Sequence, residues 1–178
     1  MRPSAKRAIL DAAVRVTERE GITGLTLESA AVEAGVTKPG LMYHFPNRDA
    51  LLLALQRHLT GAWEERLEAE VGGPAADATP REKAAAYARV GVAGGAAKAD
   101  LAFMVESASR PELAAVWAAL MERWAPLPTS AERREVDLLV ARLAADGMWL
   151  LDATGDTALS GEVRRALGER LAELADGR

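Results

Sequence analysis

Lys38, Gly40, Met42, Tyr43 and His44 stand close together in a stretch that reads TKPGLMYHF. They bring an ammonium, a phenol, an imidazole, a thioether and one residue with no side chain. On a helix they share the outward face, while Leu41 turns inward. Donors and aromatic rings around a small residue make a poor core and suit a groove. Thr26, Thr37 and Arg48 each fall at or beside a helix start. Free N–H groups and the helix dipole favour an anion there. Ordinary capping also accounts for the two threonines, and both readings can hold.

Few other residues could do chemistry. The chain has no cysteine, which excludes a disulfide framework, a thiolate zinc site and a thiol nucleophile. Its two histidines, His44 and His58, form no HxxxH or HExxH pair. Residues 91–98, GVAGGAAK, fail as a phosphate loop, because no Gly precedes Lys98 and Ala99 replaces the Ser or Thr that would hold magnesium. There is no GxSxG or GxGxxG. We expect neither an enzyme nor a bound metal or cofactor.

The elements that position these residues are helical. Ala (38) and Leu (23) dominate the 178 residues, against 2 Ile and 12 Val, so strand formers are scarce. Ser4 caps a first helix from about Ala5 to Glu20, stopped by Gly21. Thr26 caps a short helix, 27–34, closed by Gly35, and Thr37 starts another with Pro39 in its first turn. Pro46 ends that helix and Asn47 caps a long fourth one. Two short helices around a Gly turn have the form of a helix-turn-helix. Leu27, Ala30, Ala31, Val36 and Leu41 make its buried face.

Breakers in 71–80 precede a helix capped by Thr79. Further helices follow over about 97–109, from Pro111, over 131–153 and over 162–175. The charge divides with this layout. Residues 1–60 carry 8 basic against 6 acidic groups, and residues 61–178 carry 14 against 20. A mildly basic first third and an acidic remainder suggest two jobs. No stretch approaches a membrane span and Met1 to Asp11 lack an apolar signal core. The expectation is a soluble cytoplasmic protein with no membrane partner.

The first third resembles the N-terminal domain of TetR/AcrR-family transcriptional regulators. The resemblance rests on Gly21 and Gly24 before Thr26-Leu27, on Ala30-Ala31, Ala34-Gly35-Val36-Thr37, Leu41 and Tyr43-His44-Phe45, and on Asn47-Arg48 ahead of Ala50-Leu51. It implies an all-α fold of about nine helices. A three-helix DNA-binding domain, 1–47, would precede an effector-binding and dimerisation domain, 48–178, linked by helix 48–70.

It also implies roles. The third helix would enter the major groove, where Lys38 can donate to guanine O6 and N7. Gly40 would permit close approach. Tyr43 and His44 would meet phosphates or flank bases, and Thr26, Thr37 and Arg48 would set the register on the backbone. Lys6 and Arg7 would reach the flanking phosphates. Met42 stands where the family usually has an aromatic residue, so a thymine methyl or a sugar replaces that contact.

The resemblance further implies a homodimer on an inverted-repeat operator, released by an unknown small molecule. Val136, Val140, Leu143, Gly147, Leu151, Val163, Leu167, Leu171 and Leu174 are the expected dimer face. His58, Trp63, Phe103, Met104, Trp117, Met121, Trp124, Met148 and Trp149 are the candidate pocket lining. They suit an apolar or amphipathic effector. Core filling is the competing role for most of them, and a lone histidine such as His58 is more often structural. The alternative function is a helical protein-interaction module without DNA binding, which leaves the Lys38–His44 face unexplained.

Overall fold

A computed structural model describes residues 5–94, 98–154 and 159–176. The expected cap Ser4 lies outside them. Among the described residues there are nine helices and no strand. These are α1 (Ala5–Gly24), α2 (Leu27–Ala34), α3 (Lys38–His44), α4 (Arg48–Val71) and α5 (Pro80–Val92), followed by α6 (Lys98–Ser107), α7 (Pro111–Trp124), α8 (Arg133–Thr154) and α9 (Gly161–Asp176). No described helix is long and apolar enough to cross a membrane.

Local chemistry explains the boundaries. The regular part of α1 breaks at Gly21, whose φ of 73° is left-handed, and a last turn follows to Gly24. Thr26 and Ser29 form a reciprocal capping box. The Thr26 Oγ1 accepts from the Ser29 N–H and the Ser29 Oγ accepts from the Thr26 N–H, both at 2.9 Å. Gly35 closes α2 at φ 66°, and the Val36 N–H donates to the Ala31 carbonyl at 3.0 Å. Thr37 caps α3, and the Asn47 Oδ1 accepts from the Ala50 N–H at 2.8 Å to start α4. Thr79 and Glu82 repeat the capping box on α5.

The chain divides into two compact units, one from residues 1–61 and 97–117 and the other from 62–96 and 118–178. The first unit therefore extends past residue 47 and takes in α6 and the start of α7. The reason is packing. Phe103 of α6 and Leu113 of α7 are each 1% exposed, in one core with Ile9, Val16, Ala30, Ala31, Leu41, Phe45 and Leu51. Leu27 and Val36 lean on that core without being fully buried. Each wholly buried Leu or Phe contributes about 1.5–3 kcal/mol by leaving water.

In the second unit, Ala85, Ala88 and Val92 of α5 meet Ala141 and Met148 of α8 and Leu171, Ala172 and Ala175 of α9. Small residues let these helices close in. A Cβ added to Gly91 would lie 3.0 Å from the Ala145 Cβ. Arg164 of α9 fastens the group. Its guanidinium holds both Asp152 oxygens, at 2.6 and 2.7 Å, and donates to the Val92 carbonyl at 2.8 Å.

Candidate nucleic-acid interface

The α2–turn–α3 segment presents a polar outer face over an apolar inner one. Leu41 and Phe45 are buried, while Met42 is 41% and Tyr43 86% exposed. His44 is half-buried and packs edge-on against Tyr43, with ring centroids 5.1 Å apart. Gly40 donates its N–H to the Thr37 Oγ1 at 3.2 Å. A Cβ there would come within 3.1 Å of that oxygen, so its bare backbone tightens the first turn of α3. Thr26 and Thr37 are exposed caps. Lys6 and Arg7 are exposed at the start of α1, and the Lys6 ammonium also lies 5.7 Å from the Phe45 ring centre.

Lys38 is not solitary. Its ammonium pairs with the carboxylate of Glu28 on α2, and both side chains are well exposed. That hydrogen bond, with one from its own backbone, holds the Glu28 carboxyl below the usual carboxylate range. Sequence reasoning missed Glu28. The signal available was its outward position in the first turn of α2.

Arg48 has partners within the chain. Its Nε donates to the Leu25 carbonyl at 2.9 Å and its Nη2 to the Ile22 carbonyl at 2.8 Å. The guanidinium thus clamps the end of α1 and the turn that leads to Thr26. The carbonyls at a helix C-terminus attract a cation, which is why the fork settles there. Beside it, Asp49 accepts from Arg110 at 2.7 Å.

The candidate pocket residues are shared between the two units. His58 belongs to the first unit, where its Nε2 stands 2.9 Å from the Asp11 Oδ1 and ties α4 to α1. Phe103 fills the core of that unit, Met104 is 44% exposed and Trp117 is half-buried at the edge of the unit. These four belong to the first unit, where α6 packs on α1. Trp63, Met121, Trp124, Met148 and Trp149 lie in the second unit, all at most 8% exposed. Trp63 stacks on Tyr87, and Arg66 lies over its ring at 4.3 Å. The Tyr87 hydroxyl donates to Asp146 at 2.5 Å. Burial first, then the Asp146 charge, pushes the Tyr87 phenol far up. The Trp149 Nε1 is buried with no hydrogen-bond partner among the described residues. Tyr87 and Asp146 went unnoticed in the sequence because they are 59 residues apart.

The expected dimer face also divides. Val136, Val140, Leu143 and Leu151 of α8 are 41%, 46%, 58% and 38% exposed, with Gly147 exposed among them and Leu150 on the same side at 46%. Val163 is 51% exposed. Leu167, Leu171 and Leu174 instead pack into the chain's own core against α5. Their stripe is corrected from an intermolecular face to an intramolecular one, because α9 lies along α5.

Fold and surface together define an all-helical protein with an N-terminal helix-turn-helix. Residues 9–55 match the family model for bacterial regulatory proteins of the tetR family, and residues 81–176 match the tetracyclin repressor-like C-terminal domain. The chain is 38% identical over 91 residues to the HTH-type transcriptional regulator BetI of Brucella anthropi, a match that spans 51% of this chain and 45% of that one. With BetI of Paraburkholderia xenovorans it shares 30% identity over 177 residues, 91% of this chain and 86% of the relative. Among solved structures, multidrug binding protein EbrR complexed with ethidium superposes with a TM-score of 0.63 at 25% identity, covering 96% of this chain and 99% of that one. The chain belongs to the tetR family of helix-turn-helix transcriptional regulators.

Proposed function

We propose that this regulator is a homodimeric repressor that binds an inverted-repeat DNA operator and leaves it when a small molecule binds the second unit. The observation that carries the reading is the exposed Lys38–His44 face, held by the Gly35 turn and the Thr37 cap over a fully buried Leu41. Lys38 donates to a base edge. Met42 supplies apolar contact in the groove, Gly40 lets the backbone approach, and Tyr43 and His44 meet phosphates or flank bases. Thr26 and Thr37, with Lys6 and Arg7, set the register on the backbone. Arg48 serves by holding the α1–α2 turn.

The exposed α8 stripe, with Val163, is the dimer face. A two-fold dimer presents two α3 helices to successive major grooves when they stand about 34 Å apart. The effector is apolar or amphipathic, in keeping with the buried tryptophans and methionines of the second unit and with the ethidium bound by EbrR. Coupling is reciprocal, so DNA weakens effector binding by the factor with which effector weakens DNA binding. The role is regulatory rather than catalytic, and its place is the cytoplasm.

Selection from a random duplex pool tests this. The protein should enrich an inverted repeat, and Lys38→Ala should relax one position in each half-site. Failure to enrich any inverted repeat refutes it.

A further inference from the structure

The Glu28–Lys38 pair bridges α2 and α3 at the surface. Both side chains are well exposed, at 62% and 48%, and exposed ion pairs add little to stability. A carboxylate on a surface meant for phosphates is also a liability, since it repels them.

We infer that Glu28 and Lys38 read a single G·C base pair together, Lys38 on the guanine and Glu28 on the cytosine. This rests on the reading of α3 as the groove helix. Whatever Lys38 touches then lies within reach of the Glu28 carboxylate, because the two are in hydrogen-bond contact. Across the major groove a G·C pair shows two acceptors, guanine N7 and O6, followed by one donor, the cytosine 4-amino group. The ammonium has three N–H bonds and spends one on Glu28. It can give the others to N7 and O6. The carboxylate accepts from Lys38 and from its own backbone, which leaves lone pairs for the cytosine N4–H. An A·T pair shows acceptor, donor, acceptor. Against it, the carboxylate on the adenine amino group would also crowd the thymine O4. The ion pair therefore prefers G·C on its own chemistry.

Random-pool selection with wild type, Lys38→Ala and Glu28→Ala gives the first test. Both variants should relax the same column of the half-site, which wild type holds as G·C. A carboxylate that only repels phosphate would leave every column unchanged in Glu28→Ala while raising affinity for all duplexes, and that overturns the proposal. So does relaxation of two different columns. The second test separates contact from mere orientation of Lys38. In the wild-type-selected duplex, that cytosine is replaced by 2-pyrimidinone, which lacks the 4-amino group. Wild type should lose about fivefold or more in affinity, the low end for a specific base contact. Glu28→Ala should be almost indifferent. Equal losses in both proteins overturn the proposal. If wild type selects no inverted repeat at all, it is the operator-binding reading that fails. Melting curves of both variants confirm that they are folded.

Discussion

Removing the Arg48 clamp should weaken the fold and the DNA complex without removing a phosphate contact. Arg48→Ala deletes two charged-donor hydrogen bonds, 2.9 and 2.8 Å long, to the Leu25 and Ile22 carbonyls. A hydrogen bond from a charged donor contributes about 1.5–3 kcal/mol. The site is half-buried, so water reclaims the carbonyls, and the loss for both bonds together is about 2 kcal/mol. In a chain of this size that lowers the melting temperature by about 4–8 °C, compared at one fixed protein concentration. Arg48→Lys keeps the charge but offers one ammonium where the fork has two donors, so it should recover less than half of the loss. Binding to the selected duplex should weaken because fewer molecules hold the competent turn. The slope of log affinity against log salt should stay unchanged. A direct phosphate contact would instead reduce that slope by about 0.9, with lysine restoring it. A melting temperature within about 1 °C of wild type, or the reduced slope, would refute the clamp.

Leu143→Glu places a charge in the middle of the exposed α8 stripe, at a position 58% exposed in the single chain. Sedimentation should show monomers in place of dimers, and operator affinity should fall more than tenfold (about 1.4 kcal/mol). A persistent dimer would remove this face from the assembly. Gly91→Val forces atoms toward Ala145, already 3.0 Å from a Cβ at that site. Urea unfolding should show a loss of about 1–3 kcal/mol, partly restored by Ala145→Gly. Tyr87, followed by ultraviolet absorbance in a Tyr43→Phe background, should stay protonated until the protein unfolds. Its folded pKa lies above the ordinary tyrosine value of 10.0. Its contribution is therefore complete below about pH 10 and is lost as pH rises beyond it. Reversible ionisation of Tyr87 near pH 10 would contradict its burial.

Much of the helix-turn-helix was legible because its determinants are local. Thr26, Gly35, Thr37 and Asn47 act within a few residues of themselves, through caps and one left-handed turn. The inward and outward faces of α3 follow from helical spacing alone. Partners across the fold were not legible. A stripe such as Leu167, Leu171 and Leu174 shows that one face of a helix is buried, without saying whether its cover is α5 or a second chain. Phe103 reads equally as pocket lining or as core until α6 is seen against α1.

The sequence by itself determined an all-helical protein, the helix boundaries, the outward face of α3 and the family, since each follows from composition, short-range hydrogen bonding or motif. Tertiary structure alone decided that Arg48 grips the carbonyls of Ile22 and Leu25, that Lys38 is held by Glu28, and that α9 gives its leucines to the chain's own core. Those outcomes depend on residues 10 or more positions apart, and a helix period says nothing about which distant surface completes it.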